Sequence, residues 1–161
     1  MKSFYRASLI ALGADQASKI IIRKLLPEGA GVDSLSPWVA IIHCRNTGAA
    51  FGLLQGMAWL LIPFTILAVA AVVYMAFHYR HLALPLGFIA GGSLGNIVDR
   101  ISRGFVTDFI SLPCWPVFNL ADLFITAGAA FLALMLMKSP ETIENGCSGK
   151  KKRKAESRNS E

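Results

Sequence analysis

The chain has 161 residues, 54% of them hydrophobic and only 16% charged. Its mean hydropathy is +0.51, whereas a soluble domain carries about 25% charged residues. These values exclude an ordinary water-soluble globule, and the formal charge of +6 comes mainly from the termini and the flanks of apolar runs.

Lys2 and Arg6 precede an apolar stretch, and Ala11-Leu12-Gly13 resembles a small-residue cleavage site. Arg6 leaves only about seven uninterrupted apolar residues, the bottom of the range for a secretory leader. The expectation is an uncleaved first membrane helix, roughly Phe4 to Leu26, with its N-terminus inside. Arg6, Asp15, Lys19, Arg23 and Lys24 interrupt it, but they lie toward its ends or form an intrahelical pair. Asp15 and Lys19 are four residues apart and share a face. Two readings of them stand: a structural pair facing the bundle, or a carboxylate that orients backbone at a site.

Pro27 to Pro37 is a polar connector. Trp38 to Cys44 alternates β-branched and aromatic residues, which predicts a strand outside the membrane. Arg45 to Gly52 then turns the chain back, its small residues suiting close backbone approach and Asn46 able to donate and accept. The second span, Ala58 to Phe77, has twenty residues without a charge, enough for the ~30 Å hydrocarbon core. His78-Tyr79-Arg80-His81 is a short basic turn expected on the cytoplasmic side. The third span is Leu82 to Val98. Gly91 and Gly95 form a G-x-x-x-G pattern that permits close helix packing. Asn96, Asp99 and Arg100 make a polar cluster at its end. Ile101 to Pro116 reads as an outer loop holding Asp108. Val117 to Met137 is the fourth span, with Asn119 and Asp122 three apart on one face near its start.

Acids are scarce here: between Asp33 and Glu141 only Asp99, Asp108 and Asp122 occur. An ionisable group beside a membrane helix is costly and points to function. Asp99, followed by Arg100 and near Arg103, is explained by a cap or an ion pair. Asp108 and Asp122 have mostly apolar and uncharged neighbours, and they are the candidates for shared chemistry. Two adjacent carboxylates cannot both ionise cheaply, so they share a proton. The ionised one can take a proton from water while the other polarises a carbonyl. A small proton-coupled transporter or channel component is the rival reading, and a lipid- or lipoprotein-binding scaffold the third. The sequence shows no inverted repeat of the kind many transporters carry.

Cys44, Cys114 and Cys147 have no metal-ligand spacing and read as free thiols. Residues 139–161 form a basic tail containing Lys150 to Lys154. Such a run can contact nucleic acid, but beside a membrane helix it reads as a cytoplasmic anchor for anionic lipid.

Five blocks in order, DQASK at Asp15, NTGAAFG at Asn46, GGSLGNIVDR at Gly91, VTDF around Asp108 and FNLAD ending at Asp122, resemble bacterial lipoprotein signal peptidase. This signal peptidase II family consists of membrane aspartic peptidases that mature prolipoproteins. The resemblance implies a catalytic pair at Asp108 and Asp122. It places supporting positions at Asp15, Lys19, Asn46, Gly48, Asn96, Asp99, Arg100, Asn119 and Ala121. It also implies an all-α integral membrane fold of four transmembrane helices over residues 1–138, with a small extracytoplasmic β-cradle and a short surface helix. The implied substrate is a prolipoprotein cut on the amino side of its diacylglyceryl-modified lipobox cysteine. The implied enzyme is a monomer of the bacterial inner membrane, with both termini cytoplasmic and the active site near the outer face. No metal, cofactor or nucleic acid is required. Leu123 departs from the family, where small polar residues are common.

Overall fold

The computed structural model describes residues 1–36, 38–48 and 55–138. Four long helices are joined by a small sheet: α1 (Lys2–Leu25), β1 (Gly31–Ser36), β2 (Val39–Asn46), α2 (Ala58–His78), α3 (Ala83–Arg103), β3 (Val106–Ser111) and α4 (Leu120–Met137). A single 3-10 turn, Arg80–Leu82, leads into α3. The short surface helix expected from the resemblance is not among the described elements. Residues 49–52 of the NTGAAFG block and the basic tail lie outside the described residues.

Three helical segments, Ala58–His78, Arg80–Arg103 and Leu120–Met137, are long and apolar enough to cross a membrane. Helix α1 matches them in length with 24 residues, but six charged side chains lower its apolarity. Helix α3 is the hub, because α1, α2 and α4 all pack on it. Lipid offers no hydrophobic drive for helix association, so close approach through small residues has to hold the bundle. The glycines of α3 provide it. A Cβ on Gly87 would stand 2.6 Å from the Phe4 carbonyl oxygen of α1, and one on Gly92 would stand 2.5 Å from that of Ala121 in α4. The packing role read for Gly91 and Gly95 holds, since a Cβ on either would strike α1, at Ser8 and at Asp15.

The sheet is antiparallel in the order β1-β2-β3. The strand expected over Trp38 to Cys44 is β2, displaced by one or two residues. Two expected irregular segments are strands instead: β1 lies inside the Pro27–Pro37 connector, and β3 lies inside the Ile101–Pro116 loop. Helix α3 also runs on to Arg103, where Gly104 closes it in the left-handed conformation at φ 78°, a position glycine favours. Strand β3 forms because its backbone pairs with β2, with Cys44 opposite Asp108 and Asn46 opposite Val106. A bulge between Ile41 and Cys44 interrupts that ladder beside Asp108.

Candidate active site

The site lies where the sheet meets the C-terminal end of α3 and the N-terminal end of α4. After β3, the chain turns through Pro113, Cys114 and Pro116, with Cys114 at φ 61°. Phe118 then returns to pair with Ile110, its carbonyl accepting from the Phe109 and Ile110 amides. That return sets Asn119 beside Asp108 as α4 begins.

Asn119 is the N-cap of α4 and is fully buried. Its Oδ1 accepts the Asp122 amide at 3.1 Å, and the Asp122 Oδ2 accepts the Asn119 amide at 3.2 Å. This reciprocal capping box satisfies two otherwise orphaned amides. The Asp122 amide can only donate, so it fixes the Asn119 side chain with its Nδ2 pointing outward. That Nδ2 donates to Asp108 Oδ1 at 2.6 Å and to Asn96 Oδ1 at 3.2 Å. One asparagine therefore binds both aspartates.

Two more amides are aimed in the same way. Asn46 Oδ1 accepts the Gly48 amide at 3.0 Å, which leaves Nδ2 to donate to Asp108 Oδ2 at 2.8 Å. Asn96 Oδ1 accepts from the Lys19 ammonium at 2.9 Å, and its Nδ2 donates to Asp122 Oδ1 at 3.0 Å. Three of the pair's four carboxylate oxygens thus meet a side-chain donor whose orientation is set from behind, and the fourth, Asp122 Oδ2, takes the Asn119 backbone amide. Asp108 is 2% exposed, and burial raises its pKa from the usual 3.8 to about 6. That value already includes a smaller upward push from the neighbouring Asp122 charge and the opposing effects of the Asn46 and Asn119 bonds and the Lys19 charge.

Both aspartates open onto one cavity of about 650 Å³. Leu112, Trp115, Val117 and Leu123 give it an apolar wall, and Asn46, Asn96 and Asn119 a polar floor.

The supporting positions divide into those near the pair and those behind it. Arg100 reaches the Gly48 carbonyl at 3.3 Å, so it ties α3 to the segment after β2. Asp99 is fully buried, and its ion pairs run to Lys19 (3.3 Å), Arg23 (3.5 Å) and Arg103 (3.9 Å). The expected pairing with Arg103 is present, and the closer partners come from α1. Asp15 and Lys19 do form an ion pair, at 2.8 Å and with no exposure on either side chain. Asp15 Oδ1 also accepts the Ala121 amide at 2.9 Å, so the buried pair also holds the backbone of α4.

Sequence reasoning missed Arg23, Thr107 and Gln16. Arg23 donates to Thr107 Oγ1 at 3.0 Å, and Gln16 donates to Asp15 and to the Gly95 carbonyl. A signal was present for Arg23, since Asp15, Lys19 and Arg23 recur every four residues along one helical face. Among the described residues, no group of three or more His, Cys, Asp or Glu side chains is placed to hold a metal.

The sequence profile of the Signal peptidase (SPase) II family matches residues 7–138. The chain belongs to the signal peptidase II family. This peptidase is 38% identical to the lipoprotein signal peptidase of Pelotomaculum thermopropionicum over 90% of its own length and 95% of the relative's. It is 36% identical to that of Moorella thermoacetica, covering 83% and 92% of the two chains, and 36% identical to that of Mycobacterium tuberculosis, covering 84% and 71%. Two solved bacterial membrane enzymes share its fold at 27% identity. One has a TM-score of 0.81 over 88% of this chain and 91% of the other, and the second 0.77 over 86% and 95%. The chain is accordingly a multi-pass membrane protein.

Proposed function

We propose that the protein is an aspartic endopeptidase that removes the signal peptide from prolipoproteins, cutting on the amino side of the diacylglyceryl-modified lipobox cysteine. The observation that carries the reading is Asn119 bonding Asp108 and Asp122 at the floor of one cavity. Asp108, buried and raised in pKa, keeps the shared proton, and Asp122 accepts a proton from water. The water oxygen attacks the scissile carbonyl carbon while Asp108 protonates its oxygen, giving a gem-diol. Collapse breaks the C–N bond: the proton held by Asp122 passes to the cysteine nitrogen, which leaves as the new N-terminus. One gem-diol hydroxyl returns its proton to Asp108, and the carbonyl re-forms as the carboxyl end of the signal peptide. The apolar wall of Leu112, Trp115, Val117 and Leu123 suits the acyl chains of a lipidated cysteine.

The reading extends to four spans. In α1, Asp15 and Lys19 turn inward and neutralise each other, while Leu9, Ile10, Ile20 and Ile21 face outward, all exposed. Charges paired within a bundle are tolerated where unpaired ones are not. Both termini are then cytoplasmic with Arg80 and the basic tail, the sheet and site lie at the outer face of the inner membrane, and one chain supplies the whole site. A reporter fused after Lys138 that surfaces outside would refute this topology.

The test is cleavage of a diacylated prolipoprotein by purified protein in detergent, read by the mass of the product. Asp108→Asn and Asp122→Asn should each lower turnover roughly 10³-fold or more while remaining folded. Near-normal turnover by either variant refutes the dyad.

A further inference from the structure

We infer that Lys19 is a positioning residue that sets the separation and orientation of Asp108 and Asp122, an inference that rests on the dyad reading above. Its ammonium lies 2.8 Å from Asp15 Oδ2 and 3.3 Å from Asp99 Oδ2, and all three side chains are without exposure. Each of these carboxylates holds a backbone amide. Asp15 takes the amide of Ala121 at 2.9 Å, and Asp99 takes that of Thr107 at 3.1 Å. Ala121 immediately precedes Asp122, and Thr107 immediately precedes Asp108. One cation therefore joins two grips, each placed one residue ahead of a member of the pair.

Its third contact completes the arrangement. An ammonium has three donors and no acceptor, and the remaining one goes to Asn96 Oδ1 at 2.9 Å. Reversing the Asn96 amide would set its NH2 against the ammonium, so Asn96 must offer Nδ2 to Asp122. Lys19 thus fixes the path of α4 through Asp15, the path of β3 through Asp99, and the donor on Asp122 through Asn96. It does all this from α1, touching neither aspartate. Gly95 belongs to the same device, since a Cβ there would press on the Asp15 carboxyl group.

The experiment measures kcat and KM per folded molecule on a diacylated prolipoprotein, with thermal midpoints recorded in parallel. Lys19→Arg keeps the charge but replaces a compact ammonium with a broad planar fork. Gly95→Ala keeps every charged group and pushes first on the Asp15 carboxyl group. Both should lower kcat roughly 10- to 100-fold, the scale expected of a small misplacement of reacting groups, with KM within about twofold. Lys19→Met should do at least as much wherever it folds, and the other two variants decide the matter if it does not. Wild-type kcat in both Lys19→Arg and Gly95→Ala, or a loss confined to folded yield and thermal midpoint, overturns the inference. Retained turnover in Asp122→Asn would instead remove the dyad reading, whatever the Lys19 variants do.

Discussion

The two ends of α3 are packed by different physics. At its N-terminal end the neighbours are Phe4, Ala76, Leu82, Ala83, Leu86 and Ala90, a cluster with no polar side chain. At its C-terminal end the buried polar groups include Asp15, Lys19, Asn96, Asp99, Thr107, Asp108 and Asn119. The apolar end is held by contact and shape alone, because lipid tails satisfy its side chains as well as the protein does. The polar end is held by charge-assisted hydrogen bonds, which are shorter, stronger and directional. Contact tolerates small adjustments. A network in which every side-chain amide is aimed by an obligate donor does not, and that end is where the proposed chemistry sits.

The sharpest way to break the polar end is Asn119→Ala. It removes the cap on α4, about 1 kcal/mol, and, among the described residues, the only side chain bonded to both aspartates. Turnover should fall roughly 10²-fold, and the thermal midpoint should drop as well, since Asp108 and Asn96 each lose a bond in a buried setting. A variant with a lower midpoint and undiminished kcat would mean that the aspartates are held in register without Asn119.

This contrast also explains what could be read from the sequence. The apolar end was legible, because a long uncharged run such as Ala58–Phe77 has few folded forms in a membrane, and α2 ends within one residue of expectation. Asp108 and Asp122 were legible by their scarcity. The strand around Asp108 was not, since Val106–Ser111 is short and has no clean alternation, and all of its first four residues are buried. It is a strand through its pairing with β2, some sixty residues earlier in the chain. The Lys19–Asn96 contact was equally hidden. Helical spacing pairs Lys19 with Asp15 on its own helix, but nothing local says which residue of α3 the ammonium meets.

A second prediction uses the cost of burying Asp108. Its folded pKa of about 6 lies above the usual 3.8, chiefly through burial, so the folded state binds more protons between those values. Its contribution to stability is therefore full below pH 3.8 and is lost as the pH rises through about 6. The shift corresponds to about 3 kcal/mol at most. Asp108→Asn, which has no charge to desolvate, should gain on the wild type as the pH is raised from 4.5 to 8, as read by thermal midpoints in detergent. A gap that stays constant with pH would place the cost of that end elsewhere than in the Asp108 charge.

The smallest effect is expected at the apolar end of the same helix face. Gly91→Ala would put a Cβ 2.8 Å from the Ser8 Cα and 2.9 Å from the Ala11 Cβ, so α1 must give way there. Overpacking of this kind costs about 1–3 kcal/mol and should lower the thermal midpoint. Gly91 lies one helical turn before Gly95, and the two substitutions add the same single methyl group against the same neighbouring helix. They differ in what the methyl meets: backbone and an alanine at one position, the Asp15 carboxyl group at the other. Gly91→Ala should therefore keep kcat per folded molecule, because strain outside the charged network can spread into surrounding lipid and side chains. If kcat falls as far as in Gly95→Ala, α1 moves as a rigid rod. The two ends of α3 would then be mechanically one, and the separation between a tolerant end and an exacting one would fail.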